Sequence, residues 1–320
     1  MTRHLPLIAV LLVLGAGWGL TMPLTKIAVD GGYRHFGMIF WQVAIGALVL
    51  FTIQGLRRRP VRFDRERLPF YLVIALLGTV LPNLASFEAT RHLPAGVMSV
   101  AIATVPMFAL PVALMLGTDR ASVLRILGLV LGLSGVAILA GPMSGPMSGA
   151  GAGSVHWGWL LVALIGPVFY GAEGNVVARW GTGGAGPVEV LAGAMVLAAL
   201  ITLPLALVTG TFIDPRPPWG LRDLAVLGSA LINAFVYAGY VWLVGRAGAV
   251  FAGQVAYLVT GFGVVWAMVL LGERYAPGFW AAFGLMFAGL FLVQPRDNLG
   301  LRGAREPQAP STTAGAGRTP

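Results

Sequence analysis

The sequence predicts an all-α polytopic membrane protein whose ten transmembrane helices form two inverted five-helix repeats. Three observations predict it. Of the 320 residues, 57% are hydrophobic and only 10% are charged, with a mean hydropathy of +0.83, which leaves too few charges to coat soluble domains of that length. The apolar residues gather into runs long enough to cross a hydrocarbon core of about 30 Å as helix, and such runs recur ten times between short polar breaks. An uncharged stretch, "AGPMSGPMSGAGAGS" from Ala140 to Ser154, then divides them five and five.

The runs cover approximately 5–25, 36–55, 68–89, 95–116, 123–141, 157–178, 187–209, 223–244, 248–271 and 277–294. They do not alternate polar with apolar and are about twice the length of a barrel strand, so an α-helical bundle follows. The first run follows Arg3 but is too long for a signal-peptide core and has no small-residue cleavage site before Lys26, so it reads as a retained helix. The halves are 5–141 and 157–294, joined by a flexible Gly/Pro/Ser linker at 142–156. After Gln294 the apolar pattern ends, and 295–320 reads as a disordered cytoplasmic tail.

A net charge of +9 raises the question of nucleic acid, and the placement of the charges answers it. With the N-terminus inside, most basic residues fall on the same side: Arg3, the cluster Arg57, Arg58, Arg59, Arg62, Arg65 and Arg67, then Arg120, Arg125, Arg179, Arg246 and the tail. That asymmetry is a topology signal, placing both termini in the cytoplasm and the arginines against anionic headgroups, with no nucleic-acid partner. There are no cysteines, hence no disulfide or thiolate metal site.

Five is odd, so two copies of a five-helix unit in one chain must cross the membrane in opposite directions. An offset of 154 residues superposes Asp119-Arg120 on Glu273-Arg274, and Ala95, Phe108, Leu116, Leu131 and Gly135 on identical residues. Inverted repeats meeting at a midplane site characterise secondary transporters.

Specific segments carry a family resemblance: "GAGWGLTMPLTKIAV" in the first helix, "LPNLASFEATRHLPAGVMSVAIATVPMF" across the third and fourth, and "GAVFAGQVAYLVTGFGVVWAMVLLGERY" through the ninth. The chain resembles the drug/metabolite transporter superfamily in its EamA-like branch of two-repeat, ten-helix proteins, over roughly residues 5 to 295. The pieces "LGER" (Leu271 to Arg274) and "LPAG" (Leu93 to Gly96) are the most diagnostic. Gln42 stands where related proteins often carry arginine, which weakens any inference of an anionic substrate. "GTDR" (Gly117 to Arg120) stands where the first repeat often has "GER". The resemblance implies a bacterial inner-membrane secondary transporter of a small metabolite, amino acid or drug, commonly outward, with an ion gradient such as protons as its energy source.

Catalytic constellations are missing: no P-loop, HExxH, GxSxG or cysteine nucleophile, so no enzyme activity, cofactor or metal is expected. "GTGGAG" at Gly181 to Gly186 matches a dinucleotide pattern but lacks the strand–turn–helix context. His4, His35, His92 and His156 sit at separate helix ends. Glu173, in "FYGAEGNVVARW", lies inside an apolar run; a charge facing lipid would cost at least about 2.5 kcal/mol at the bilayer centre, so it should face the bundle or a water-filled cavity. It reads equally as a site for a cation or coupling proton and as a hydrogen-bonded packing residue, for instance through Tyr170.

Glu88, with Arg91 and His92 on the same face, favours an interfacial ion pair over a substrate contact. Lys26 and Glu189 are read as helix-end residues, Lys26 snorkelling to the interface. Thr104, Pro106 and Pro111 interrupt the fourth helix, and Gly261 with its neighbours is expected to interrupt the ninth at the corresponding place, near a midplane site. Gln254 and Tyr257, on one face of the ninth helix, are candidate lining residues, as are Asn83, Asn175 and Trp18; Asn83 is also placed to satisfy a carbonyl freed by Pro82. Gly15-x-x-x-Gly19 and Gly128-x-x-x-Gly132 read as close-packing pairs. A passive facilitator or channel, and a non-transporting membrane scaffold, are compatible with the same bundle.

Overall fold

The computed structural model describes residues 5–120, 122–139, 146–148 and 156–293. Ten membrane helices account for nearly all of it: α1 (Leu5–Asp30), α2 (His35–Leu56), α3 (Leu68–Thr90), α4 (Ala95–Met115), α5 (Val123–Leu139), α6 (Trp157–Trp180), α7 (Pro187–Val208), α8 (Leu221–Ala247), α9 (Phe251–Leu271) and α10 (Pro277–Val293). Eight are long and apolar enough to span with ease; α5 and α10, at 17 residues each, sit at the short limit for a bilayer. The expected tail lies outside the described residues, as does most of the expected linker. One part of that linker is ordered differently from expectation: β1 (Pro146–Ser148) pairs antiparallel with β2 (Arg274–Tyr275). Proline is admissible at the first position of a strand.

The helices close into a ring in which each neighbour comes from the other half of the chain: α1 packs on α8, α8 on α2, α2 on α7, α7 on α3, α3 on α6, α6 on α4, α4 on α9, and α9 on α1. Helices α5 and α10 pair outside the ring against α4. Exchanging the two repeats maps the ring contacts onto one another.

Glycine contacts fix the symmetry operation. The bare face of Gly135 meets Ala282 and Met286, while Gly289 meets Gly128 and Gly132, which are the same three positions displaced by 154 residues. Gly19 lies against Gly263 on α9 and Gly171 against Ala109 on α4, again 154 apart on the partner helices. From Gly128 to Gly135 on α5, the partner on α10 recedes from Leu292 to Ala282. These mates therefore run antiparallel, as inverted repeats require; parallel repeats would make them parallel. Gly15 also packs on α9, through Leu258, so the expected close-packing glycines do pack closely.

Proline shapes two of the ring helices. Within α3, Pro82 has no N–H for the carbonyl four residues back, and the preceding turn, Leu76–Val80, widens into a π-turn closed by Leu81 N–H on the Leu76 carbonyl. Within α4 the helix breaks at Ala103 and Thr104, just before Pro106, as the sequence predicts. The corresponding expectation for α9 is overturned. Val255–Leu271 runs unbroken through Gly261, and the irregularity comes earlier, at Gln254 after a short turn of helix from Ala249 to Gly253. Thr260 bonds back to the Ala256 carbonyl (3.0 Å) without opening the helix, Gly263 serves the contact with Gly19, and Gly261 shares a face with the exposed Val265 and Met268.

Candidate functional site

On α8 the large exposed residues Leu224, Phe235 and Trp242 mark the face turned to lipid. Asn233, Tyr237 and Tyr240 lie on the opposite face at spacings of four and three, yet they are only half-buried. The same holds on α1, where exposed Val13 faces lipid and half-buried Trp18 points the other way. On α6, Leu161, Ile165 and Val168 face lipid while Gly174, on the far side, is exposed with nothing within 4 Å of where a Cβ would stand. Exposure on faces turned away from lipid means that the ring encloses an accessible interior.

Four helices furnish that interior. Trp18 Nε1 donates to Asn233 Oδ1 (2.9 Å), and its indole lies 6.5 Å from the ring of Tyr237 and 5.7 Å from that of Tyr240. Glu173 reaches from α6 toward the π-turn of α3, where its carboxyl group sits 2.9 Å from where a Cβ on Gly78 would stand. Tyr170 lies three residues back on the same helix, and Tyr237 of α8 stands across the ring from it. Among the described residues no group hydrogen-bonds or ion-pairs with the Glu173 carboxylate. Tyr170 instead donates to Asn83 Oδ1 (3.3 Å) on α3. Glu173, Tyr170, Asn83, Trp18, Asn233, Tyr237 and Tyr240 thus form one constellation: an unpaired acid, amide groups, and aromatic faces.

The other sequence candidates lie elsewhere. Asn175 donates to the Ala109 carbonyl (2.9 Å) and the Gly171 carbonyl (2.8 Å), clamping α6 to α4. Glu88 binds Arg91 (2.9 Å) and His35 (3.2 Å) at a helix end. Tyr257 packs on Phe287 within the apolar cluster of Met107, Leu110, Leu290 and Val293, its hydroxyl buried without a hydrogen-bond partner. Gln254 joins the two pieces of helix that begin α9. Pro106 sits at the break in α4. The "GTGGAG" match forms the α6–α7 turn, with Gly181, Gly183 and Gly184 at positive φ. Among the described residues no group of three His, Asp or Glu side chains stands close enough to hold a metal.

Lys26 is not a snorkelling residue. It is 3% exposed, with Nζ on the Thr90 carbonyl and on Asp30, 3.0 Å each. Near it is Glu273, 0% exposed, which accepts from the backbone N–H groups of Ala95 (2.8 Å) and Gly96 (3.1 Å) and from the Tyr275 hydroxyl. The two diagnostic segments therefore meet. Gly272 ends α9 at φ +65, Glu273 caps the start of α4, and Tyr275 lies so close on Gly96 that no side chain would fit there. Burial pushes the Glu273 carboxyl above its ordinary pKa, against the pull of Tyr275, the two N–H groups and Lys26. Its mate Asp119 is bound instead within its own repeat, to Arg125 (2.7 Å) and the Arg120 N–H; although burial pushes its pKa up, these bonds hold it below the usual value.

Comparison with known proteins agrees with this architecture. The model of the EamA-like transporter family matches residues 5–141 and again 157–294. The chain belongs to that family. Among curated proteins it is 27% identical over 300 residues, 90% of each chain, to the "Uncharacterized inner membrane transporter YedA" of Escherichia coli (strain K12). It is 28% identical over 300 residues, 92% of this chain and 94% of the other, to a "Probable terminal-alkyne amino-acid exporter" of Streptantibioticus cattleyicolor. A solved crystal structure matches over 92% of this chain and 97% of its own with a TM-score of 0.57; at 18% identity it speaks to the fold alone. The chain is thus an EamA-type membrane transporter, and its two family repeats coincide with the halves related by the 154-residue offset.

Proposed function

We propose that this protein is a secondary transporter that moves a small molecule bearing an ammonium group outward across the bacterial inner membrane by alternating access, with both termini in the cytoplasm. The observation that carries the cargo class is the unpaired Glu173 carboxylate in an interior otherwise walled by Trp18, Tyr237 and Tyr240. An acid held within the membrane without a partner is costly, and its persistence fits a group that exchanges a cationic cargo for a proton. Aromatic faces add cation–π attraction, and Asn83 and Asn233 offer amides to the polar remainder of an amino acid. The names of the inner-membrane and amino-acid-exporter relatives support the same reading.

The test uses purified protein in liposomes loaded with a pH-sensitive dye, a panel of amino acids and small amines, and Glu173→Gln. Cargo-dependent proton movement that disappears in a folded Glu173→Gln protein is expected. Cargo flux without proton movement, unchanged in the variant, would overturn the role of Glu173, and the absence of flux with every member of the panel would overturn the ammonium cargo.

A further inference from the structure

The ring is not equally closed at its two ends. At the end containing Glu273, α1 reaches across the interior to touch both α3 and α4, with Lys26 bonded to the Thr90 carbonyl; the symmetry-related pairs, α6 with α8 and α6 with α9, make no contact of that extent among the described residues. At the same end Glu273 binds the first two N–H groups of α4, whereas its mate Asp119 turns back to Arg125 of its own repeat and keeps 34% of its side chain exposed. Met22, one turn from Trp18 on the interior face of α1, packs into the apolar cluster beneath this cap, while Gly174 is exposed on the interior face of α6.

We propose that Glu273 is a latch: by capping α4 from the other repeat, it holds the interior shut at its own end, and releasing that cap is the step that opens the end. The contact is built for such a role. Glu273, Gly272 and Tyr275 belong to the α9–α10 turn of the second repeat, whereas Ala95, Gly96, Lys26 and Thr90 belong to the first, so the end cannot open without parting them. The segment they hold, Ala95–Ile102, is divided from the rest of α4 at Ala103 and Thr104, which lets it pivot as a unit. At the opposite end Thr118, which stands where the second repeat has Gly272, bonds the Ala113 carbonyl (3.2 Å), and among the described residues Asp119 bonds only within its own repeat, to Arg120 and Arg125.

The purpose of the latch rests on the transporter reading, but its test needs no cargo. The chain has no cysteine, so Met22→Cys and Gly174→Cys each provide a single thiol. Each is labelled with a membrane-impermeant maleimide from either side in oriented vesicles. Met22→Cys should be protected and Gly174→Cys labelled from the Asp119 end. Adding Glu273→Ala should raise Met22→Cys labelling from the Glu273 end at least tenfold, with a smaller rise for Tyr275→Phe. Adding Asp119→Ala or Asn175→Ala should leave Met22→Cys protected. Unchanged labelling in a folded Glu273→Ala protein, or an equal rise with Asp119→Ala or Asn175→Ala, would overturn the latch. If labelling behaves as expected while the liposomes show no flux, the latch stands and the ammonium-cargo reading falls.

Discussion

Glu173 and Asn175 stand two residues apart on α6 and do different work. Asn175 is 9% exposed and spends both amide protons on carbonyls of α6 and α4, so its replacement removes a packing interaction. Glu173 makes no such bond, so its replacement removes a charge from the interior. Interhelical hydrogen bonds in membranes contribute on the order of 1 kcal/mol. Asn175→Ala should therefore lower the thermal unfolding midpoint in detergent by a few degrees and leave flux per folded molecule within about twofold of wild type. Glu173→Gln should do the reverse. Equal losses of flux in both variants would show that the interior does not distinguish them. Glu173 was legible in the sequence because an acid within an apolar run is conspicuous. Asn233, Tyr237 and Tyr240 were not, since aromatic residues are common in such helices; the available signal was their spacing opposite Leu224, Phe235 and Trp242.

At the scale of an element, α3 shows how one proline places a site. The π-turn that Pro82 imposes puts an extra residue into the turn before it, rotating Gly78 relative to Asn83. Those two residues meet Glu173 and Tyr170 of α6. Pro82→Ala would permit a regular helix, which proline in a helix interior opposes by about 3 kcal/mol. The variant should be at least as resistant to thermal unfolding as wild type, yet show flux reduced about tenfold or more, because Gly78 no longer accommodates the carboxyl group. A stable variant with full flux would detach the π-turn from the site. The break in α4 could be read from Pro106, whereas the expected break in α9 failed because glycine permits irregularity without demanding it. In α9 the close approach of Gly19 to Gly263 uses the glycine while the helix continues.

The whole molecule is held together between its repeats more than within them. The halves at 5–141 and 157–294 could be read from helix count and from the 154-residue offset, but not which helix of one half lies beside which helix of the other. Each ring helix lies between neighbours from the other repeat, and α5 pairs with α10. Lipid supplies no hydrophobic force to gather five helices whose packing partners are absent, and the small-residue contacts at Gly19, Gly128, Gly135, Gly171 and Gly289 all join one repeat to the other. A chain ending after residue 141, or one beginning at residue 142, should therefore fail to form a stable bundle alone. Coexpressed as separate polypeptides, the two should assemble, copurify through a tag on either one, and unfold cooperatively at a midpoint within a few degrees of the intact protein. The α5–α10 pair is the most extensive contact between the two repeats. Added atoms on Gly289 would strike the backbone of Gly128 and Gly132, so Gly289→Leu should abolish copurification of the separate halves while leaving each one's membrane insertion unchanged. Copurification that survives Gly289→Leu would show that the ring contacts alone suffice to hold the repeats together, and a stable, monodisperse single half would show that the repeats fold before they meet.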